Sequence, residues 1–275
     1  MRMLMRFPEG RQKALTLSYD DGVAQDIRLI GIMSKYGIKG TFNINAGCIG
    51  EEDATDHGRL SKKQILELYP KSGNEVAIHG WEHPFLESLP NVNATAEILR
   101  DRNEVEKMFG TIVRGMSYPY GTYSDDVVNS LKACGIAYSR TTASTEWFDI
   151  PTDWLRMPAT CHHNNPRLFE LADRFLELKD DLRPCWLFYL WGHSYEFDFN
   201  TQSWDTIEKF CEKMGNHDEI WYATNIEIYD YVAAYKSLRT SADCSIVYNP
   251  SAIDVWARIN GETVKIEAGQ QLVLK

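Results

Sequence analysis

Short β-rich runs alternate with helical ones along almost the whole chain, and that alternation restricts the fold to a parallel sheet or a barrel. Eight candidate strands begin near residues 14, 40, 75, 112, 137, 154, 186 and 219. Between them lie helix-start signals, such as Ser61 with Gln64 and Thr224 with Glu227, and helix-stop glycines at 37, 110, 135 and 215. An α/β fold, a parallel sheet or a TIM-like barrel that eight strands could close, is therefore expected over residues 1–240. From residue 241 to 275 the period changes to strict alternation, broken by the hairpin dipeptide Asn260-Gly261. This small antiparallel β appendage lies below the usual size for independent folding, so it is expected to pack on the barrel or on a partner subunit, as in a homo-oligomer.

Charge and cysteine usage narrow the partners. The chain has 39 acidic against 29 basic residues and a formal net charge of -10, so nucleic acid is not an expected partner. It has no apolar run long enough to span a membrane and no apolar leader at its start, and its six cysteines form no CxxC pair. No membrane partner and a cytoplasmic location are expected.

In α/β barrels, reactive groups collect where strands end. Asp20 and Asp21 end the first expected strand in "SYDDG", His79 ends the third in "HGWEHP", "SYPYG" (117–121) ends the fourth, and "WGHS" (191–194) ends the seventh. His79 and His83 resemble a helical HxxxH metal pair in spacing, but Gly80 and Pro84 read as a tight loop. With an aspartate on the same rim they supply a His/His/Asp facial set for a divalent cation. Such an ion answers the repulsion between two adjacent carboxylates, since one can serve as ligand while the other stays ionised as a base toward water. His193 is then placed to protonate a leaving group.

These segments, in this order, resemble the polysaccharide deacetylase family, the NodB-like carbohydrate esterases. "SYDDG" is similar to the first motif, "HGWEH" to the second, "SYPYG" to the third, and "LWGHS" more loosely to the histidine motif near the end. The resemblance implies the family's irregular (β/α)7-8 TIM-like barrel, often of seven strands, so that one of the eight expected strands would lie outside it; it also implies Asp20 as general base and Asp21, His79 and His83 as ligands of one divalent metal, usually zinc, sometimes cobalt or another ion. It also implies the Tyr120 backbone N–H as an oxyanion donor and His193 as general acid.

Two departures stand out. The family's third motif carries an arginine two residues before its proline, where this chain has Ser117, so Arg140 or Arg156 is expected to hold the base. The fourth motif, an acidic residue with a tryptophan, has candidates in Asp149 or Asp153 with Trp154; Trp81, Trp154, Trp191 and Tyr118 are candidate sugar-stacking rings. "CHHNNP" (161–166) is a further polar cluster expected at the rim rather than as a second metal site. The leading expectation is hydrolysis of an amide C–N bond, deacetylation of an N-acetylated sugar or polysaccharide. The alternatives are a hydrolase for another C–N bond, of the cyclic ureide or imide type in a small amide substrate, and a non-catalytic carbohydrate-binding barrel.

Overall fold

The computed structural model describes residues 3–179, 183–199 and 203–274. After a short strand β1 (Met3–Arg6), the parallel strands follow as β2 (Lys13–Asp20), β3 (Gly40–Ile44), β4 (Glu75–Ile78) and β5 (Gly115–Ser117). They continue as β6 (Tyr138–Ser144), β7 (Met157–Ala159), β8 (Cys161–His162), β9 (Trp186–Gly192) and β10 (Ile220–Tyr222). The hydrogen-bonded order is β7-β6-β5-β4-β3-β2-β9-β8. Its two ends, β7 and β8, are halves of one segment interrupted only by Thr160, whose N–H donates to Tyr189 O at 2.9 Å. The order thus returns on itself through seven staves among the described residues.

The eighth expected strand is a wedge rather than a stave. β10 pairs only with Lys13, Ala14 and Leu15 of β2, on the edge whose upper part, Leu17 to Asp20, is taken by β3. Residues 154–156, expected to open the sixth strand, form instead a 3-10 turn in which the Asp153 side chain accepts from Leu155 N–H. Aspartate at that position caps a turn more readily than it starts a strand.

Strand alternation sorts side chains between two environments. From β2, Leu15, Leu17 and Tyr19 join the main apolar cluster, together with Phe42 and Ile44 of β3 and Ile78 of β4. Apolar stripes on the surrounding helices, such as Ile98 and Val105 on the helix Asn91–Phe109, complete that cluster. The opposite positions face the lumen, where an apolar group on β7 and β9 (Met157, Ala159, Leu187, Tyr189 and Trp191) lies beside a polar one. Thr16 Oγ1 donates to Asn225 Oδ1 at 3.1 Å, and Thr41 Oγ1 and the Tyr138 hydroxyl donate to Glu75 at 2.8 and 2.7 Å. Tyr138 reaches Glu75 because position 115 is glycine; a Cβ there would overlap the Tyr138 hydroxyl. One layer higher, Ser18, Asn43, Asp20, Ser117 and Arg140 fill the lumen mouth.

The appendage adds β11 (Arg239–Thr240), β12 (Ile246–Tyr248), β13 (Val255–Ile259), β14 (Glu262–Ile266) and β15 (Gln271–Val273). Asn260 and Gly261 both take positive φ, 50° and 100°, as a tight right-twisting hairpin requires. Its main sheet, β1-β13-β14, takes one strand from the beginning of the chain, with Met3 opposite Ile259. Tyr231, from the helix Asn225–Lys236, joins the units: its hydroxyl donates to Arg6 O at 2.5 Å and accepts from Trp256 N–H at 2.8 Å. No disulfide links the six cysteines among the described residues, and no helix among them is long and apolar enough to cross a membrane.

Phe7 lies fully buried at this junction, its ring 5.3 Å from Trp221 and 6.1 Å from Tyr231. Phe7→Ala is expected to cost about 3–5 kcal/mol in urea unfolding; a loss under about 1 kcal/mol would mean that the junction repacks without it.

Candidate metal centre and flanking acid–base groups

Asp20 is the last residue of β2 and only 2% exposed. Its Oδ1 accepts from Asn43 Nδ2 at 2.9 Å and from Ser117 Oγ at 3.0 Å, while Oδ2 pairs with the Arg140 guanidinium. Burial alone raises a carboxyl pKa, but Arg140, with His79 and His193, outweighs it and holds Asp20 far below the ordinary carboxylate range. Of the two arginines proposed for this duty, Arg140 reaches the aspartate. Arg140 is the cross-strand register partner of Ser117, so the counter-charge sits one strand sideways from the position where the third motif usually carries it. Trp191, buried beneath, places its ring 4.3 Å from the Arg140 guanidinium carbon and 4.5 Å from the His162 ring. It braces the charge pair instead of offering a face to a sugar.

Arg156 and Asp153 belong elsewhere. Arg156 spends its charge near the surface on Asp125 and, at 2.8 Å, on Asp153, and Trp154 packs edge-on against Tyr229. Among the described residues no hydrogen bond, ion pair or ring pair joins any of the three to Asp20, His79 or His193; Arg156 and Asp153 form a surface ion pair and Trp154 has a packing role, contrary to the expectation from sequence. Tyr118, a candidate stacking ring, is likewise buried, with its hydroxyl donating to Leu155 O at 2.7 Å.

Successive strand residues point to opposite faces, yet Asp21 shares the rim with Asp20. A φ of 86° at Asp21, followed by 62° at Gly22, breaks the alternation and turns its carboxylate toward the histidines. His83 Nε2 lies 4.0 Å from Asp21 Oδ1, and the ligand atoms of Asp21, His79 and His83 all fall within 4.8 Å of one another. His79 Nδ1 faces the Ser117 carbonyl at 2.8 Å; a carbonyl only accepts, so Nδ1 carries the proton and Nε2 keeps its lone pair. Burial lowers the pKa of both His79 and His83, which keeps them neutral as ligation requires.

Asp21 Oδ1 is buried without a hydrogen-bond partner; Arg59 Nη1 stands 3.0 Å away in an ion pair, and its hydrogen bond goes to the Asp21 carbonyl. An orphaned carboxylate oxygen between two neutral imidazoles fits a divalent cation, and the N, N, O donor set suits zinc and similar borderline ions.

On the other side of Asp20, His193 Nε2 approaches its Oδ2 to 3.9 Å, the same separation as His79 Nε2. His193 is fixed by a residue that sequence reasoning missed. Glu196 Oε2 lies 3.6 Å from His193 Nδ1, 3.2 Å from His162 Nε2 and 2.8 Å from His163 Nε2. Burial lowers the His193 pKa, but Glu196 and the two aspartates more than offset this, and the net shift is upward. Glu196 thus occupies the place sought in Asp149 or Asp153. Its signal was its position three residues after His193, across the turn that leads into the short helix Glu196–Phe199, where Glu196 N–H donates to His193 O at 3.1 Å.

The histidines of "CHHNNP" do gather at this rim. His162 Nδ1 accepts from Asn164 N–H at 3.1 Å, so the Nε2 facing Glu196 carries the proton, which favours a carboxylate clamp over a second metal site. His163 fits because position 192 is glycine; a Cβ there would overlap its ring.

Two further buried acids set the backbone. Asp101 accepts from Ala46 N–H at 2.8 Å and His79 N–H at 3.0 Å, tying the ends of β3 and β4 together. Asp26 accepts from the hydroxyls of Ser194 and Tyr69, both at 2.6 Å, and so holds the residue next to His193. Burial pushes each carboxyl up to about 7. Tyr120 stands on the rim at φ 58°, its ring stacked on Phe85 and edge-on to His83.

Comparison with known proteins bears on the family resemblance and the fold. The polysaccharide deacetylase family profile matches residues 8–139. A poly-beta-1,6-N-acetyl-D-glucosamine N-deacetylase of Staphylococcus aureus strain MSSA476 is 30% identical over 118 residues, covering 39% of this chain and 40% of that protein. Chitin deacetylase 1 of Cryptococcus neoformans var. grubii is 30% identical over 112 residues, 40% of this chain and 22% of that protein. The chain therefore spans well under half the length of these curated relatives. Among solved structures, the peptidoglycan deacetylase PdaC of Bacillus subtilis shares the fold, with a TM-score of 0.51 and 19% identity over 82% of this chain and 94% of that chain.

Arg140→Ala leaves a buried carboxylate without its cation and is expected to cost about 3–5 kcal/mol in urea unfolding. Arg156→Ala removes a surface pair and should cost less than about 1 kcal/mol. Equal losses from the two variants would contradict the assignment of Arg140 as the buried counter-charge.

Proposed function

We propose that this chain, whose residues 8–139 match the polysaccharide deacetylase family profile, hydrolyses the amide of an N-acetylated amino sugar, releasing acetate. One divalent ion, zinc, would be held by Asp21, His79 and His83. When bound there, the ion supplies Lewis acidity to the amide carbonyl and makes water a better nucleophile near neutral pH.

The observation that carries the reading is the position of Asp20, a carboxylate outside the ligand set with His79 Nε2 and His193 Nε2 each 3.9 Å from its Oδ2. A module that only bound sugar would have no use for an ionised, unliganded acid there. Asp20 takes the proton of the attacking water, and Arg140, Asn43 and Ser117 keep it ionised and oriented for that task. His193, on the opposite side and kept protonated by Glu196, gives its proton to the departing amine as the C–N bond breaks. The backbone N–H of Tyr120 serves as a donor to the developing oxyanion; none of the turn and loop hydrogen bonds among the described residues uses it.

Acetate release from N-acetylglucosamine oligomers, with zinc supplied, tests the proposal. Asp20→Asn and His193→Ala should each lower kcat by roughly 10²–10⁴-fold with KM little changed. Undiminished release by Asp20→Asn, or none from the wild-type protein loaded with zinc, would sink it.

Glu196→Gln gives an independent sign. Removing the carboxylate lowers the His193 pKa, and a general acid works only while protonated, so the alkaline limb of kcat/KM should move to lower pH. No movement, or movement upward, would separate Glu196 from His193.

A further inference from the structure

The two adjacent carboxylates at the end of β2 each have an arginine of their own. Asp20 has Arg140 from β6, and Asp21 has Arg59, whose Nη1 lies 3.0 Å from its Oδ1. Arg59 comes not from the barrel wall but from the loop that leads into the helix Lys62–Leu68. That loop is fastened to the turn after β2 on either side of the arginine: Ala24 N–H donates to Gly58 O at 3.0 Å, and Leu60 N–H donates to Gly22 O at 2.9 Å. The guanidinium donates to the Asp21 carbonyl, beside the φ of 86° that turns this residue onto the rim, and to Asn45 Oδ1 at 3.2 Å. Asn45 in turn donates through Nδ2 to the carbonyls of His79 and Gly80 at 2.6 and 2.7 Å. One cation thus meets the backbone and carboxylate of one ligand and is tied to the backbone of another.

A neutral donor would satisfy the Asp21 carbonyl as well, so the charge of Arg59 is the property that matters to the ligand set. Histidine ligands are neutral, and the charges of Asp20 and Asp21 are already balanced by Arg140 and Arg59. A divalent ion therefore enters a site with no net attraction for it, whereas the same groups without Arg59 would carry one negative charge. Side-chain exposures of 30% for Arg59 and 11% for Asp21 let water screen this effect only in part.

Resting on the metal-dependent reading, we infer that Arg59 is a resident counter-charge for Asp21, which positions this ligand before an ion binds and then keeps the ion's binding weak and exchangeable. Arg59 is a positioning residue, because it reaches the reaction only through Asp21. By drawing on the charge of the carboxylate it also leaves more of the ion's positive charge to act on a substrate carbonyl.

Zinc titration of the whole chain, stripped of metal by a chelator, tests this, with Asp21→Ala marking the share of the signal that belongs to the site. Arg59→Gln keeps a donor for the Asp21 carbonyl and removes the charge, so zinc should bind roughly ten- to hundredfold more tightly than to the wild-type protein. Loss of a merely structural residue would weaken binding instead. Arg59→Met, also uncharged, should tighten binding too, while Arg59→Lys should bind zinc as weakly as the wild-type protein; urea unfolding checks that each variant is folded. Binding no tighter in the folded, uncharged variants, or tightened as much by Arg59→Lys, would overturn the inference and leave the metal-dependent reading standing. Zinc bound by neither the wild-type protein nor Arg59→Gln would reject that reading, and the inference with it.

Discussion

The Arg140 guanidinium and the Asp20 carboxylate meet inside the barrel, where neither side chain is more than 3% exposed. Either charge alone there would cost several kcal/mol, so the presence of each depends on the other. The pair ties β6 to β2 across the lumen, and the groups that satisfy it are those that define the site. Ser117 donates to Asp20 through its hydroxyl and receives His79 Nδ1 at its carbonyl, so one small residue aligns the base and a metal ligand together. An arginine at position 117 would fill the space that Arg140 occupies from the neighbouring strand.

The polar lumen gives this arrangement its precision. A second layer beneath the mouth, built from Thr16, Thr41, Glu75, Tyr138 and Asn225, is also closed by hydrogen bonds between side chains. The main apolar packing lies outside the strands, between sheet and helices, and a smaller cluster with Leu187, Tyr189 and Trp191 lines part of the lumen, so the polar lumen residues are placed by directional bonds and the scaffold by burial. Each rim group therefore has at least one partner that sets its orientation: Asn43 for Asp20, Ser117 for His79, Glu196 for His193.

The parts of this legible in the sequence were those with a local signature. Asp20, Asp21, His79, His83 and His193 stand at strand ends, and strand ends are visible as period-two runs followed by glycine or proline. Arg140 could be suspected as a lone cation in a β run, but its distance from Asp20 depends on strand register, which no local pattern encodes. Asp101 interrupts the apolar stripe of Ile98 and Val105, a signal that a buried acid replaces a core residue; it became interpretable only once β3 and β4 were seen to end beside it. Asp153 and Trp154 matched a motif in composition and failed on placement, because that aspartate caps its own turn. The β1–β13 pairing joins opposite ends of the chain, and nothing local to either segment announces it.

That same long reach bears on how the chain assembles. β2 is paired along one edge by β9, with Tyr19 opposite Gly192, and at its foot by β10, with Lys13 opposite Ile220. During synthesis it emerges early and then waits for most of the chain before those partners exist, a contact order that favours slow folding. Over that interval β3 can cover one edge, but the edge that β9 later takes stays open along Leu15, Leu17 and Tyr19, an apolar strand of the kind that joins other chains edge to edge. Lys13 stands at one end of it and Asp20 with Asp21 at the other, so the charges that later serve the rim flank the segment while it is still bare and oppose its aggregation.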